Sequence, residues 1–124
     1  MLRETTVAIV GSGLAGISLA LRLSEQGIDS MILSKSTLAS GSSVWAQGGI
    51  AAALDPRDSF EAHIEDTLQT GSGLCHESAV RTVVEGAPDA IDWLSAAGVH
   101  FDNQGDVSNQ LHLAQEGGHS YRRV

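Results

Sequence analysis

A short apolar run followed by three closely spaced glycines constrains the fold of this chain more than any other feature. Residues 5–10 are mostly β-branched or apolar without alternation, which is typical of a strand buried on both faces of a parallel sheet. Glycines follow at positions 11, 13 and 16, and residues 14–26 have the apolar spacing of a helix that ends at Gly27. Residues 28–33 predict a second strand, so the opening of the chain predicts a βαβ unit.

The three glycines have separate physical roles in such a unit. Gly11 permits a tight turn, Gly13 lets the main chain approach a pyrophosphate, and Gly16 lets the helix pack against the strand. Unpaired N–H groups at the start of the helix, together with the positive end of its dipole, would hold the phosphates. The pattern favours dinucleotide binding, and a purely structural glycine turn is the alternative.

The end of the second predicted strand leaves the dinucleotide undetermined. An acidic side chain about 20 residues after the glycines usually accepts the ribose hydroxyls, but Ser34 and Lys35 stand there instead. Ser34 can still bond a hydroxyl, and Lys35 can pair with a phosphate or lie in solvent. Because a cationic, hydroxyl-rich strand end also suits NADP, an NADP-binding module stays an alternative.

A second glycine-rich segment, residues 40–53, has many small and hydroxyl side chains and no charged residue. A segment that lies along a large, flat, neutral ring system would have this composition. Its backbone N–H groups and serine hydroxyls would then bond the polar edge of the ring and the adjoining phosphates. A buried crossover loop is the alternative interpretation.

The charge and the apolar pattern exclude several classes of protein. The chain has 15 Asp+Glu against 7 Lys+Arg, a formal net charge of −8, which argues against binding to nucleic acid or to an anionic membrane. No apolar run approaches the roughly 20 residues of a membrane span. Residues 7–10 are also too short for the apolar part of a secretory signal. With a single cysteine, Cys75, the chain is expected to be soluble and cytoplasmic.

The middle of the chain predicts packing helices. Asp58 and Glu61 fit a helix cap with its reciprocal acid, and Gly71 ends that helix. Pro88 is expected in the first turn of a later helix that ends at Gly98.

The last quarter of the chain predicts a short strand pair at residues 99–101 and 111–113, on either side of a turn. The second strand would deliver residues 116–119 into the cofactor cleft. Arg122 and Arg123 are candidates for a substrate carboxylate, although fraying or pairing elsewhere is the favoured interpretation. Because the five histidines lack the spacing of metal ligands, no metal site is expected. They are His63, His76, His100, His112 and His119.

Five ordered motifs make the chain resemble the flavoprotein family of succinate dehydrogenase and fumarate reductase, and within it the L-aspartate oxidases. They are Gly11-Ser12-Gly13-Leu14-Ala15-Gly16, Leu33-Ser34-Lys35, Ala46-Gln47-Gly48-Gly49-Ile50-Ala51, His63-Ile64-Glu65-Asp66-Thr67 and Glu116-Gly117-Gly118-His119-Ser120. The resemblance implies an incomplete, Rossmann-like α/β domain that binds FAD. Residues 1–124 would be its N-terminal portion, without the capping domain and the C-terminal helical domain of the family.

The resemblance also implies how the cofactor is held. The cofactor-binding residues that it implies are Gly11, Ser12, Gly13, Leu14, Ala15, Gly16, Ser34, Lys35, Ser42, Ser43, Val44, Trp45, Ala46, Gln47, Gly48 and Gly49. Matching the Ala-Gln-Gly-Gly segments puts Ser42 where the respiratory enzymes carry the histidine that bonds flavin covalently. A serine hydroxyl cannot make that bond by the same chemistry, so noncovalent FAD is implied.

The implied substrate is L-aspartate, with Glu116 binding its ammonium group because a carboxylate there attracts that cation and repels succinate. The product would be iminoaspartate, the electron acceptor oxygen or fumarate, and the pathway partner quinolinate synthase in NAD biosynthesis. The resemblance assigns no catalytic residue within residues 1–124, so this portion alone is expected to be inactive. The alternatives are part of a succinate dehydrogenase or fumarate reductase flavoprotein, and a non-enzymatic NADP-binding module.

Overall fold

The computed structural model describes residues 4–38, 41–46, 49–103 and 111–124. The chain divides into two compact units, Met1–Gly48 and Gly49–Val124. In the described residues, no helix combines the length and the apolar character that crossing a membrane would require.

The first unit is the predicted βαβ arrangement. Strand β1 spans Val7–Val10, helix α1 spans Leu14–Glu25, and strand β2 spans Ser30–Leu33. The strands are parallel, with Val7 opposite Ser30 and Val10 opposite Leu33. Gly27 lies at φ +70 just after α1, in the left-handed conformation predicted for its cap. A single 3₁₀ turn, Ser42–Val44, follows in the next loop.

The sheet is less buried than its sequence predicts. Only Ile9 of β1 is buried, while Val10 is 85% exposed and Leu33 is 49% exposed. Since the sheet of the described chain has two strands, most of its apolar surface stays uncovered. The expectation of a strand buried on both faces is therefore not met.

The second unit is built around two packed helices. Helix α2 spans Phe60–Gly71 and helix α3 spans Glu77–Ala96. The helical end predicted at Gly71 is confirmed, and so is the one at Gly98, which adopts φ +97 after α3. Apolar side chains from both ends of this unit form its core, which comprises Ala52, Ala87 and Ile91 with Ile50, Phe101, Leu111 and Val124 packed against them.

Two local predictions for these helices are wrong. The N-cap of α2 is Ser59, whose Oγ accepts a hydrogen bond from the Ala62 N–H at 3.1 Å, and Asp58 is engaged elsewhere. Pro88 lies inside α3 and does not begin a new helix. The apolar side chains of α3 continue across the proline on one face, so packing outweighs the missing hydrogen bond.

The predicted strand pair is present only as isolated antiparallel bridges. Asn103 pairs with Leu111, and Ala114 pairs with Arg123. Residues 99–101 form no strand. Residues 104–106 of the predicted turn lie outside the described part of the chain.

Candidate functional site

The turn between β1 and α1 has the geometry predicted for its first glycine. Gly11 adopts φ +110, a conformation in which a side chain would be strained. Its N–H donates to the carbonyl of Leu33 at 2.9 Å, which ties the turn to the end of β2. The carboxyl ends of both strands therefore meet at this turn.

Gly16 confirms the predicted close packing of the helix on the strand. A Cβ atom at this position would clash with the carbonyl oxygen of Gly11 and would lie 3.4 Å from Cγ2 of Ile9. Since the obstacle is main chain, it cannot move aside as a flexible side chain would. Only glycine fits this approach.

The second glycine-rich segment lies beside the first. Gly13 is the N-cap of α1 and supplies no side chain, and the Leu14 N–H donates instead to Oγ of Ser43 at 3.1 Å. A Cβ at Gly41 would come within 3.6 Å of the Gly13 Cα. The described part of the second segment is thus in contact with the helix start, as one shared nucleotide site requires.

The start of α1 suits an anion. No acidic residue lies in its first turn, so no side-chain charge there opposes the positive end of the helix dipole. Gly13 and Ala15 contribute main-chain N–H groups at this end, whereas those of Gly11 and Leu14 already donate to Leu33 and Ser43. Beside them is a cleft of about 360 Å³, whose lining includes Ser12, Ile17 and Val44.

The end of β2 holds hydroxyl groups and a cation. Oγ of Ser34 lies 2.9 Å from Oγ of Ser12, which is buried. Lys35 is exposed at the strand end, and Trp45 is 79% exposed in the second segment. Ser34 thus lies beside the glycine turn, whereas Gln47 and Gly48 fall outside the described residues.

Glu116 lies in a separate cleft of about 460 Å³ in the second unit. The lining combines residues 49–51 of the second glycine-rich segment with histidines and acidic residues. It comprises Gly49, Ile50, Ala51, His100, Phe101, Asp102, His112, Ala114, Glu116, His119, Arg123 and Val124. Of residues 116–119, Glu116 and His119 line this cleft, and their delivery to the cofactor stays a prediction.

Arg123 corrects the expectation for the end of the chain. Its side chain is fully buried, with Nε 2.8 Å from Oδ2 of Asp58 and Nη1 2.8 Å from Oδ2 of Asp66. It is neither frayed nor available to a substrate carboxylate. Arg122, by contrast, is exposed.

Asp66 links this ion-pair cluster to the Glu116 turn. Its Oδ2 accepts a hydrogen bond from the Ser120 N–H at 2.8 Å, and its Oδ1 accepts one from the Ser120 hydroxyl at 2.6 Å. Asp66 is itself buried.

Burial and neighbouring charged groups shift the pKa values of Asp66 and His63. Burial opposes ionisation of Asp66, but hydrogen bonds from Ser120 and the Arg123 guanidinium outweigh it and lower the pKa of this carboxyl below 3.8. Burial, reinforced by the positive charge of Arg123, lowers the pKa of His63 below 6.5. The ring of His63 meets that of His119 edge to face at 6.1 Å. His63, whose ring contacts His119 of the Glu116 turn, therefore stays neutral at pH 7.

Comparison with known proteins now decides the family. A family model described as an FAD binding domain matches residues 6–124. The chain belongs to this FAD-binding domain family. Its cofactor is therefore FAD, and the Rossmann-like fold and the flavoprotein resemblance predicted from the sequence are confirmed. FAD binding therefore accounts for the glycine turn in place of the NADP-binding alternative.

Relatives within this FAD-binding family include several L-aspartate oxidases. That of Pseudomonas aeruginosa is 50% identical over 123 residues, covering 95% of this chain and 23% of the relative. That of Vibrio cholerae is 46% identical over 124 residues, covering 98% of this chain and 23% of the relative. The chain thus spans about a quarter of the length of the relatives it matches.

Solved structures of the family show the same fold. The Mycobacterium smegmatis Sdh1 complex with UQ1 matches with a TM-score of 0.90 and 29% identity, over 98% of this chain and 20% of that one. E. coli quinol fumarate reductase matches with a TM-score of 0.87 and 28% identity, over 98% of this chain and 21% of that one. This chain therefore shares its fold with Sdh1 and with quinol fumarate reductase, and the fold does not by itself decide the substrate.

Proposed function

We propose that this chain is the N-terminal portion of the FAD domain of an L-aspartate oxidase. The complete enzyme would oxidise L-aspartate to iminoaspartate, with oxygen or fumarate as the electron acceptor. It would act in the cytoplasm at the start of NAD biosynthesis, where quinolinate synthase would use its product. The L-aspartate oxidases among the relatives support this assignment.

The position of Glu116 is the observation that carries the proposal. Glu116 lines a cleft that residues 49–51 of the second glycine-rich segment also line. The Glu116 carboxylate would attract the ammonium group of aspartate and would repel the carboxylates of either ligand. A dicarboxylate without an amine gains nothing from Glu116, so the residue favours aspartate over succinate.

The first unit would hold the cofactor with main-chain groups. N–H groups around Gly13 and the start of α1 would bind the pyrophosphate, while Ser34 and Lys35 would contact the adenosine end. Residues 42–49 would contact the flavin end, with Ser42 making no covalent bond. When bound, FAD supplies the hydride acceptor for the substrate Cα. The protein's part is to bind and orient both molecules, with Glu116 holding the amine.

A binding test examines the cofactor assignment. A chimaeric protein that joins residues 1–124 to the remainder of the Pseudomonas aeruginosa relative, loaded with FAD and desalted, should retain a flavin that absorbs near ~450 nm. After acid precipitation the flavin should stay in the supernatant. Flavin that remained in the pellet would show a covalent bond and contradict the role given to Ser42.

Activity is tested in a chimaeric protein that joins residues 1–124 to the remainder of the Pseudomonas aeruginosa relative. Glu116→Gln should raise the KM for L-aspartate about 10-fold or more, since hydrogen bonds to charged groups contribute about 1.5–3 kcal/mol. Inhibition by succinate should not weaken. Glu65→Gln, which neutralises an exposed carboxylate on α2, is the matched control.

Two results would contradict the proposal. One is a chimaeric enzyme that oxidises succinate and leaves L-aspartate untouched, as a respiratory flavoprotein would. The other is an equal effect of Glu116→Gln on L-aspartate and succinate, which would remove Glu116 from recognition of the amine.

A further inference from the structure

We infer that Asp66 is a positioning residue for Glu116, because it fixes the turn that presents this carboxylate to the cleft. The inference rests on the proposed function, in which Glu116 contacts the substrate amine. Asp66 itself would touch neither substrate nor cofactor. It would act through Ser120 and Arg123.

The first step concerns what holds Glu116 in place. Among the described residues, no hydrogen bond or ion pair engages its carboxylate, so the backbone sets its position. That backbone is a tight turn in which the His119 N–H donates to the Glu116 carbonyl at 3.1 Å and Gly118 adopts φ +83. The Glu116 N–H approaches Nδ1 of His119 at 3.4 Å. The turn is therefore compact, but these bonds alone do not attach it to the rest of the unit.

Helix α2 supplies that attachment. Asp66 accepts two hydrogen bonds from Ser120, at 2.8 and 2.6 Å. One helical turn further on, Thr70 packs so closely that a Cβ at Gly118 would lie 2.7 Å from its Oγ1. The turn thus rests directly on one face of α2, and Asp66 is the polar contact between them.

Arg123 secures the base of the same turn. Its main chain exchanges two hydrogen bonds with Ala114, both at 2.8 Å, which closes the segment that contains Glu116. Its buried guanidinium bonds Asp58 and lies 2.8 Å from Asp66. Asp66 therefore contacts the segment at two points, Ser120 within it and Arg123 at its base. Separating Arg123 from Asp58 or Asp66 would leave a buried charge without its partner, which is costly, so these ion pairs hold the segment in place.

The test is a double-mutant cycle in the chimaeric enzyme. Ser120→Ala removes the hydroxyl bond to Asp66 and leaves the ion pair with Arg123 intact. The KM for L-aspartate should rise about threefold or more, as for loss of one charge-assisted hydrogen bond. The kcat and the succinate inhibition constant should change less than ~2-fold. Ser120→Thr, which retains the hydroxyl, should restore the KM.

The cycle with Glu116 separates positioning from a general structural effect. If Asp66 and Ser120 act through Glu116, Ser120→Ala should cause no further rise in KM once Glu116→Gln is present. Ser95→Ala is the matched control, because the Ser95 hydroxyl donates to the Ile91 carbonyl of its own helix, away from the Glu116 turn.

Amide hydrogen exchange adds a readout that needs no activity. In the unsubstituted protein the Ser120 and His119 amides should exchange slowly, and Asp66→Asn should speed both more than it speeds the amides of α3. Equal exchange before and after the substitution would overturn the inference.

The kinetic outcomes distinguish this inference from the proposed function. An unchanged KM in Glu116→Gln would defeat the proposed function. If Glu116→Gln raises the KM, two results would defeat the positioning role alone. One is a Ser120→Ala single variant with an unchanged KM. The other is a Ser120→Ala effect on KM that stays just as large when Glu116→Gln is present.

Discussion

Gly16 shows how a single residue supports the cofactor site. A methyl group there would displace the Gly11 carbonyl, and with it the turn expected to face the pyrophosphate. We predict that Gly16→Ala weakens FAD binding at least ~10-fold and destabilises the first unit by about 1–3 kcal/mol, as overpacking does. Fluorescence titration with FAD measures the affinity. Unaltered affinity would mean that this turn does not contact the cofactor.

His63 predicts a pH dependence of stability. Because burial lowers its pKa in the folded chain, the unfolded chain takes up a proton first as the pH falls below 6.5. The free energy of unfolding should therefore decrease from about pH 6.5 downward, until the folded-state pKa is passed. Urea unfolding at several pH values tests this. His63→Gln should flatten the profile in this range, while His76→Gln, at an exposed position, should leave it as it was.

The residues near the glycine turn were predictable, and those around Arg123 were not. Gly16 packs against Gly11 and Ile9, which are close in sequence, so the spacing of the glycines already indicates the turn. The Asp58–Arg123 pair joins residues 65 positions apart, and no local pattern reports such a contact. Arg123, Asp58 and Asp66 are charged residues far apart in sequence, and only the fold shows that they are buried together.

Helix α3 shows how packing overrides a local breaker. Its buried residues Val84, Ala87, Ile91 and Leu94 keep a spacing of three and four, which places one apolar face along the whole helix. Pro88 falls within that face, and the sequence interpretation gave the proline more weight than the periodicity. The strands predicted at residues 99–101 and 111–113 failed for a different reason. In the described chain these short segments have too few paired neighbours to form a ladder.

Gly86 offers a stabilising change in this helix. A Cβ there would meet nothing within 4 Å, so alanine fits the helical backbone without strain. We predict that Gly86→Ala raises the stability of the second unit by about 0.5–1 kcal/mol, because glycine is the more flexible residue in the unfolded chain. Thermal unfolding measures the gain. FAD binding should not change, and this makes the variant a control for Gly16→Ala.

The chain as a whole exposes apolar surface that a stable domain would bury. Val10, Leu74 and Val83 are 85%, 91% and 71% exposed, and a sheet of two strands is marginal by itself. We predict that the isolated 124 residues unfold at low temperature, bind a hydrophobic dye, and produce no hydrogen peroxide from L-aspartate. A peroxide assay on the purified, FAD-loaded chain checks the last point. Sustained turnover would show that residues 1–124 contain the whole catalytic apparatus.

The link between Asp58 and Arg123 has a consequence for biosynthesis. A nascent chain that has emerged as far as residue 100 already contains α2 and α3, but not the partner that neutralises Asp58 and Asp66. Until Arg123 leaves the ribosome, those two carboxylates must remain hydrated, and closing so long a loop carries an entropic cost. Glu116, whose segment is closed by the main-chain bonds between Ala114 and Arg123, is therefore among the last groups of its unit to reach its final place.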